Sequence, residues 1–105
     1  MPVPEIDVHE LAQLRQAGVA LLDVRNPDEW EDVRVPGAPL IPLGELGERV
    51  DDVPPGEPLY VICAGGGRSA RAAEFLRGVG VDAVNVAGGT RAWVEAGYPT
   101  DSGPG

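Results

Sequence analysis

The sequence predicts an α/β domain built on a mainly parallel sheet flanked by helices. Apolar, strand-like runs at 19–24, 59–62 and 82–86 alternate with segments of helical period. The first two are apolar on both faces, as strands covered by helices on both sides must be. The 15 glycines and 11 prolines fall mostly between these runs, so they punctuate structure rather than dissolve it. At 105 residues one domain is expected, spanning 1–100, followed by a frayed tail at 101–105.

In chain order, a short extended piece at 3–6 leads into a first helix. Asp7 is its expected N-cap, with Glu10 three positions on, and Val8, Leu11, Ala12 and Leu14 form its apolar face up to Gly18. The strand at 19–24 carries Asp23 and is followed by Arg25. Asn26-Pro27 then turns the chain into a short acidic helix. Residues 35–42 hold too many prolines for a central strand and read as a loop with a brief edge strand. A helix over 43–50 is weakened by Gly44 and Gly47, and 52–58 is a polar connector. After the strand at 59–62, Ala72, Phe75, Leu76 and Val79 follow the i, i+3, i+4, i+7 pattern of a helix running from Ser69 to Gly78. A third buried strand precedes Gly88-Gly89 and a last helix containing Arg91, Trp93 and Val94. Trp30 and Trp93 are expected at the edge of the core.

The net charge of −9 excludes a general electrostatic footprint for nucleic acid or an anionic membrane. The charges are uneven, however. Nine of the seventeen acidic residues lie between Asp28 and Glu57, whereas Arg68, Arg71, Arg77 and Arg91 make the stretch from Cys63 to Trp93 locally basic. All eight basic residues are arginine, which removes lysine-based chemistry and leaves guanidinium groups suited to oxyanions. The N-terminal residues lack the pattern of a signal peptide, no stretch reaches membrane-spanning length, and a single cysteine cannot make an internal disulfide. A cytoplasmic location is expected.

That cysteine, Cys63, stands where a buried strand meets Ala64-Gly65-Gly66-Gly67-Arg68-Ser69. A free cysteine often packs as a small hydrophobe. A reactive one needs its thiolate stabilised by amides, a helix N-terminus or a cation. Glycines let successive N–H groups turn inward into an anion-binding nest, which Arg68 is placed to close, with Ser69 capping the helix. The only histidine, His9, lies on the first helix and reads as an exposed residue, so a Cys-His pair is not expected. One Cys and one His supply no usual zinc site, and neither a metal nor a cofactor is implied.

At these residues the chain resembles the rhodanese family of sulfurtransferases. Asp23-Val24-Arg25 is similar to the family's Asp-x-Arg segment, Trp30 to Ala38 with Pro36-Gly37-Ala38 to its first signature, Cys63 to Arg68 to its active-site loop, and Val84 to Trp93 with Gly88-Gly89 to its ending. The resemblance implies a three-layer fold with a central five-stranded sheet, and a cysteine that cycles through a persulfide. Cysteine phosphatases with a related cradle place one residue more between nucleophile and arginine. The loop here is thus of the sulfur-transferring length.

What the resemblance implies is a Cys63 thiolate that takes a sulfane sulfur from a donor such as thiosulfate and yields it to cyanide or a thiol, glutathione and a thioredoxin-like protein included. Arg68 would neutralise charge on the donor or loop. Asp23, Arg25 and Arg34 would support the site. The family often has a basic or polar residue where Ala64 stands, and a histidine where Arg34 stands. A donor contact is therefore missing at Ala64. A monomer or weak dimer is expected. The alternative is a non-catalytic rhodanese-like module that binds or regulates a protein.

Overall fold

A computed structural model describes residues 3–104. Four strands, β1 (Glu5–Ile6), β2 (Ala20–Asp23), β3 (Leu59–Ile62) and β4 (Ala83–Val86), form one parallel sheet in the order β1-β4-β3-β2. Leu21 lies opposite Tyr60, and Tyr60 opposite Val84, so side chains on the three longer strands share faces in register. Helices α1 (Val8–Gln16), α2 (Pro27–Asp32), α3 (Gly67–Gly78) and α4 (Gly89–Glu95) complete the α/β fold that the sequence predicts. Among the described residues no helix is long and apolar enough to cross a membrane.

Strand alternation divides the core into two layers. Leu22, Val24, Leu59 and Val61 face α3, where they pack with Ala72, Ala73 and Leu76. Leu21, Tyr60, Ile62, Val84 and Val86 face the other way, onto Val8 and Leu11 of α1 and Trp93 of α4. Both faces are buried because helices cover both, which is why the strands read as apolar runs without alternation. Asp7 caps α1 as expected, its Oδ1 accepting from the Glu10 N–H at 2.9 Å.

Several local expectations need correction. The sheet has four strands rather than five, because the edge near Leu40 is reduced to a single parallel bridge to Asp23. There Asp23 N–H donates to Pro39 O and Ile41 N–H to Asp23 O. Pro36, Pro39 and Pro42 have no N–H to extend that ladder. The helix expected over 43–50 is instead two short 3-10 helices, Leu43–Glu48 and Val50–Asp52. Near the C-terminal end, Arg34 and Asp101 exchange backbone hydrogen bonds at 2.9 Å, and Gly103 N–H donates to Glu31 O at 2.7 Å.

The longest helix is also shifted. α3 starts at Gly67, and its buried stripe is Ser69, Ala72, Ala73 and Leu76, whereas Phe75 and Val79 are 40% and 50% exposed. The small residues on that stripe let the helix approach the sheet closely. They also carry a serine hydroxyl into the core.

Gly89 joins β4 to α4 with φ +60, and a Cβ there would stand 2.5 Å from the Cys63 carbonyl oxygen and 2.6 Å from that of Ala64. Gly89→Ala is therefore expected to destabilise the fold by about 2–3 kcal/mol, or ~10 °C in Tm, measurable by thermal denaturation. An unchanged Tm would show that the loop yields without cost.

Candidate active site

Strand β3 ends at Ile62, and Cys63 continues the side of Val61, so its side chain points toward α3. The chain then turns through Ala64, Gly65 and Gly66 into the first turn of α3. Gly66 sits at φ 108, and a Cβ there would press on the Gly88 amide at 3.3 Å. Glycine is required at that position for both reasons. Gly65 and Gly67 have no positive φ, so the three glycines are not equivalent.

The peptide groups of this turn are oriented by partners on other elements. The Cys63 carbonyl accepts from Thr90 N–H at 2.8 Å, and the Ala64 carbonyl accepts from Arg91 N–H at 3.0 Å. The Gly66 carbonyl accepts from Ala70 N–H and from Asn85 Nδ2 at 3.2 Å, while Asn85 Nδ2 also donates to Glu5 Oε2 at 2.7 Å. With the carbonyls held outward, the N–H groups are left to turn toward the cysteine. Gly66 N–H donates to Cys63 Sγ at 3.1 Å, and the Ser69 hydroxyl lies 3.2 Å from the same sulfur as its second donor.

Electrostatics follow from that geometry. Burial opposes charge on Cys63, which is 1% exposed. The Ser69 hydroxyl and the amides of Ser69, Gly66 and Gly65 outweigh it, and the thiol is held below its ordinary value. The arrangement can therefore store a thiolate, or a small anion attached to that sulfur, without a general base.

The sequence-predicted residues divide into four groups. Cys63, Ala64, Gly65, Gly66, Gly67 and Ser69 form the turn, but Ser69 donates to the sulfur instead of capping the helix. Arg68 does not close the ring of donors. Its Nη1 and Nη2 donate to Glu29 Oε1 and Oε2 at 2.7 and 2.8 Å, a bidentate pair between α3 and α2. That pairing, against the opposing effect of burial, holds Glu29 down at about 2 and pushes Arg68 up, with the Asn26 amide adding to the former. Asp23 and Arg25 form a buried ion pair at 2.8 Å, from which Arg25 Nη2 also reaches Val33 O at 2.7 Å. The Arg34 guanidinium lies elsewhere, 3.7 Å over the Trp30 ring and bonded to Trp30 O and Gly103 O.

Sequence reasoning missed Glu29 and Asn85, and saw Arg91 only as part of the locally basic stretch. Glu29 was hidden within an acidic run that reads as a solvated face. Asn85 carried a signal, a lone amide in a strand whose other residues are apolar. Arg91 extends beside the turn, with Nη1 3.3 Å from the position a Gly65 Cβ would take. It lines an open cavity of about 450 Å³ together with Ala64 and Thr90.

Comparison with known proteins gives a consistent family. The family described as "Rhodanese-like domain" matches residues 7–96. The chain is similar to a "Sulfurtransferase" of Allochromatium vinosum, 32% identical over 100 residues that cover 92% of this chain and 94% of that one. It is also similar to a Bacillus subtilis protein named "Putative sulfur carrier protein YrkF", 36% identical over 94 residues, of which it spans 51%. It thus spans about half the length of several curated relatives and nearly all of the Allochromatium vinosum one. Among solved structures, a rhodanese-related protein from Thermoplasma volcanium aligns with TM-score 0.86 and 37% identity, covering 93% of this chain and 97% of that chain.

Removing one donor should be visible at the sulfur itself. Ser69→Ala is expected to raise the Cys63 pKa by about one unit, because a hydrogen bond to a charged group contributes ~1.5 kcal/mol or more. The midpoint of the pH-dependent rate of iodoacetamide alkylation then moves upward, toward that of an ordinary thiol. A midpoint that stays in place would remove Ser69 from the list of stabilising donors.

Proposed function

The chain belongs to the rhodanese-like domain family, and from that membership we propose that it is a sulfurtransferase that carries sulfur on Cys63 as a persulfide. The observation that carries this reading is the pair of donors, Gly66 N–H and the Ser69 hydroxyl, on one sulfur at 3.1 and 3.2 Å. A cysteine that only packs in a core has no use for either. The relatives whose names contain sulfur carrier or sulfurtransferase support the same class of chemistry.

The steps balance without a cofactor. Cys63 thiolate attacks the outer sulfur of thiosulfate, the bond between that sulfur and the sulfonate sulfur breaks, and sulfite leaves with the electron pair. The product is Cys63–S–S⁻. Cyanide, or the thiolate of glutathione or of a thioredoxin-like protein, then attacks the outer sulfur and returns Cys63 to its thiolate. The loop amides serve both states, because a persulfide carries the same single negative charge one atom further out. With Cys63 only 1% exposed, the transferred group must be as small as one sulfur atom. Arg68, paired with Glu29, ties α3 to α2 beside the loop and is not a ligand for the donor.

Two measurements test the reading. Intact-mass spectrometry after incubation with thiosulfate should show the gain of one sulfur atom, absent in Cys63→Ser, which should also lose transfer to cyanide. No mass gain from any sulfane-sulfur donor would favour the protein-binding module instead. The net charge of −9 also repels a dianion at long range. Added salt is accordingly expected to raise the second-order rate constant for thiosulfate, and a falling rate would mean that local arginines dominate.

A further inference from the structure

The charges around the cavity beside the loop do not suit thiosulfate. Arg25 and Glu29 both line it, but each is already neutralised, Arg25 by Asp23 and Glu29 by Arg68. Among the described residues, the lining charges left without an ion-pair partner are one cation, Arg91, and two anions, Asp32 and Glu95. A dianion placed there would meet one guanidinium and two carboxylates. A ligand with separated opposite charges would meet a counter-charge for each. Thr90 also lines the cavity, and its buried hydroxyl has no hydrogen-bond partner among the described residues.

We propose that the cavity formed by Ala64, Thr90, Arg91, Asp32 and Glu95 binds a small thiol that carries both a carboxylate and an ammonium group. Arg91 receives the carboxylate, and Asp32 with Glu95 receives the ammonium. The inference rests on the sulfur-transfer reading and names the substrate class at that site. Arg91 Nη1 stands beside Gly65, so a carboxylate held there keeps the rest of the ligand next to the turn that covers Cys63. The ligand's thiolate then attacks the outer sulfur of Cys63–S–S⁻. A bond forms between the two sulfurs, the bond from the outer sulfur to Sγ breaks, and its electron pair restores the Cys63 thiolate. The transferred sulfur keeps its negative charge as the ligand's persulfide, and nothing is oxidised overall. The reverse reaction loads Cys63 from the corresponding persulfide. Arg91 is thus a specificity-determining residue, and its charge replaces the donor contact that Ala64 lacks.

The test uses the full chain loaded with sulfur from inorganic polysulfide and freed of excess donor. Its discharge is followed by intact mass with three thiols: cysteine, cysteamine, which lacks the carboxylate, and 3-mercaptopropionate, which lacks the ammonium. Each rate is compared between the native chain and a variant, so that the intrinsic reactivity of each thiol cancels. Asp32, Arg91 and Glu95 are exposed, and their substitution leaves the core intact. Arg91→Gln should slow cysteine and 3-mercaptopropionate about fivefold, as expected of an exposed charge pair, and leave cysteamine unchanged. The double variant Asp32→Asn, Glu95→Gln should slow cysteine and cysteamine but not 3-mercaptopropionate. Equal ratios for all three thiols would overturn the inference while leaving sulfur transfer intact. Failure of Cys63 to retain sulfur at all would overturn both.

Discussion

The turn after β3 depends on two backbone hydrogen bonds, from Thr90 N–H to the Cys63 carbonyl and from Arg91 N–H to the Ala64 carbonyl. A peptide group has one donor and one acceptor at opposite ends, so anchoring the carbonyls outward on α4 leaves the amides of the following residues free to converge on the sulfur. The anchor requires α4 to begin almost in contact with the turn, and only a residue without Cβ fits between them at Gly89. Thus the geometry that stabilises a thiolate is made by a helix some 25 residues away, in the same physical sense that an oxyanion hole is made by the groups that hold its amides.

Charge pairing does the remaining work. Two acidic side chains at the site cancel arginines: Asp23 with Arg25 in the buried end of β2, and Glu29 with Arg68 between α2 and α3. The first pair, 0% and 4% exposed at its side chains, links the end of β2 to the Val33 carbonyl. It holds position more than it adds stability, since burying two charges costs nearly what their attraction returns. The second pair ties the helix that carries the loop to the acidic helix beside it. Among the charges lining the cavity, these pairs leave Arg91, Asp32 and Glu95 without an ion-pair partner among the described residues.

The sheet, its parallel sense and most of the helices were legible in the apolar runs, because strands buried on both faces have no alternative pattern. The place of Cys63 at a strand end was legible too, since a lone cysteine followed by glycines has a local meaning. Less was legible in α3. Phe75 and Val79 have the hydrophobicity of core residues but lie on the solvent side, because the small stripe of Ser69, Ala72 and Ala73 allows closer packing on the sheet than they do. The 43–50 segment also went astray, because Gly44 and Gly47 removed the helical bias on which the pattern relied.

By itself the sequence determined the α/β architecture, the thiol at the strand end and the glycine-rich loop that follows it, all of which depend on neighbours in the chain. Tertiary structure decided which donors reach that thiol and which charges stay unpaired. Ser69 could have capped its helix and Arg68 could have closed the loop. Packing of α3 on the sheet turned the first onto Cys63, and the approach of α2 gave the second to Glu29. Such choices rest on distances between residues far apart in the chain, where local pattern carries no information.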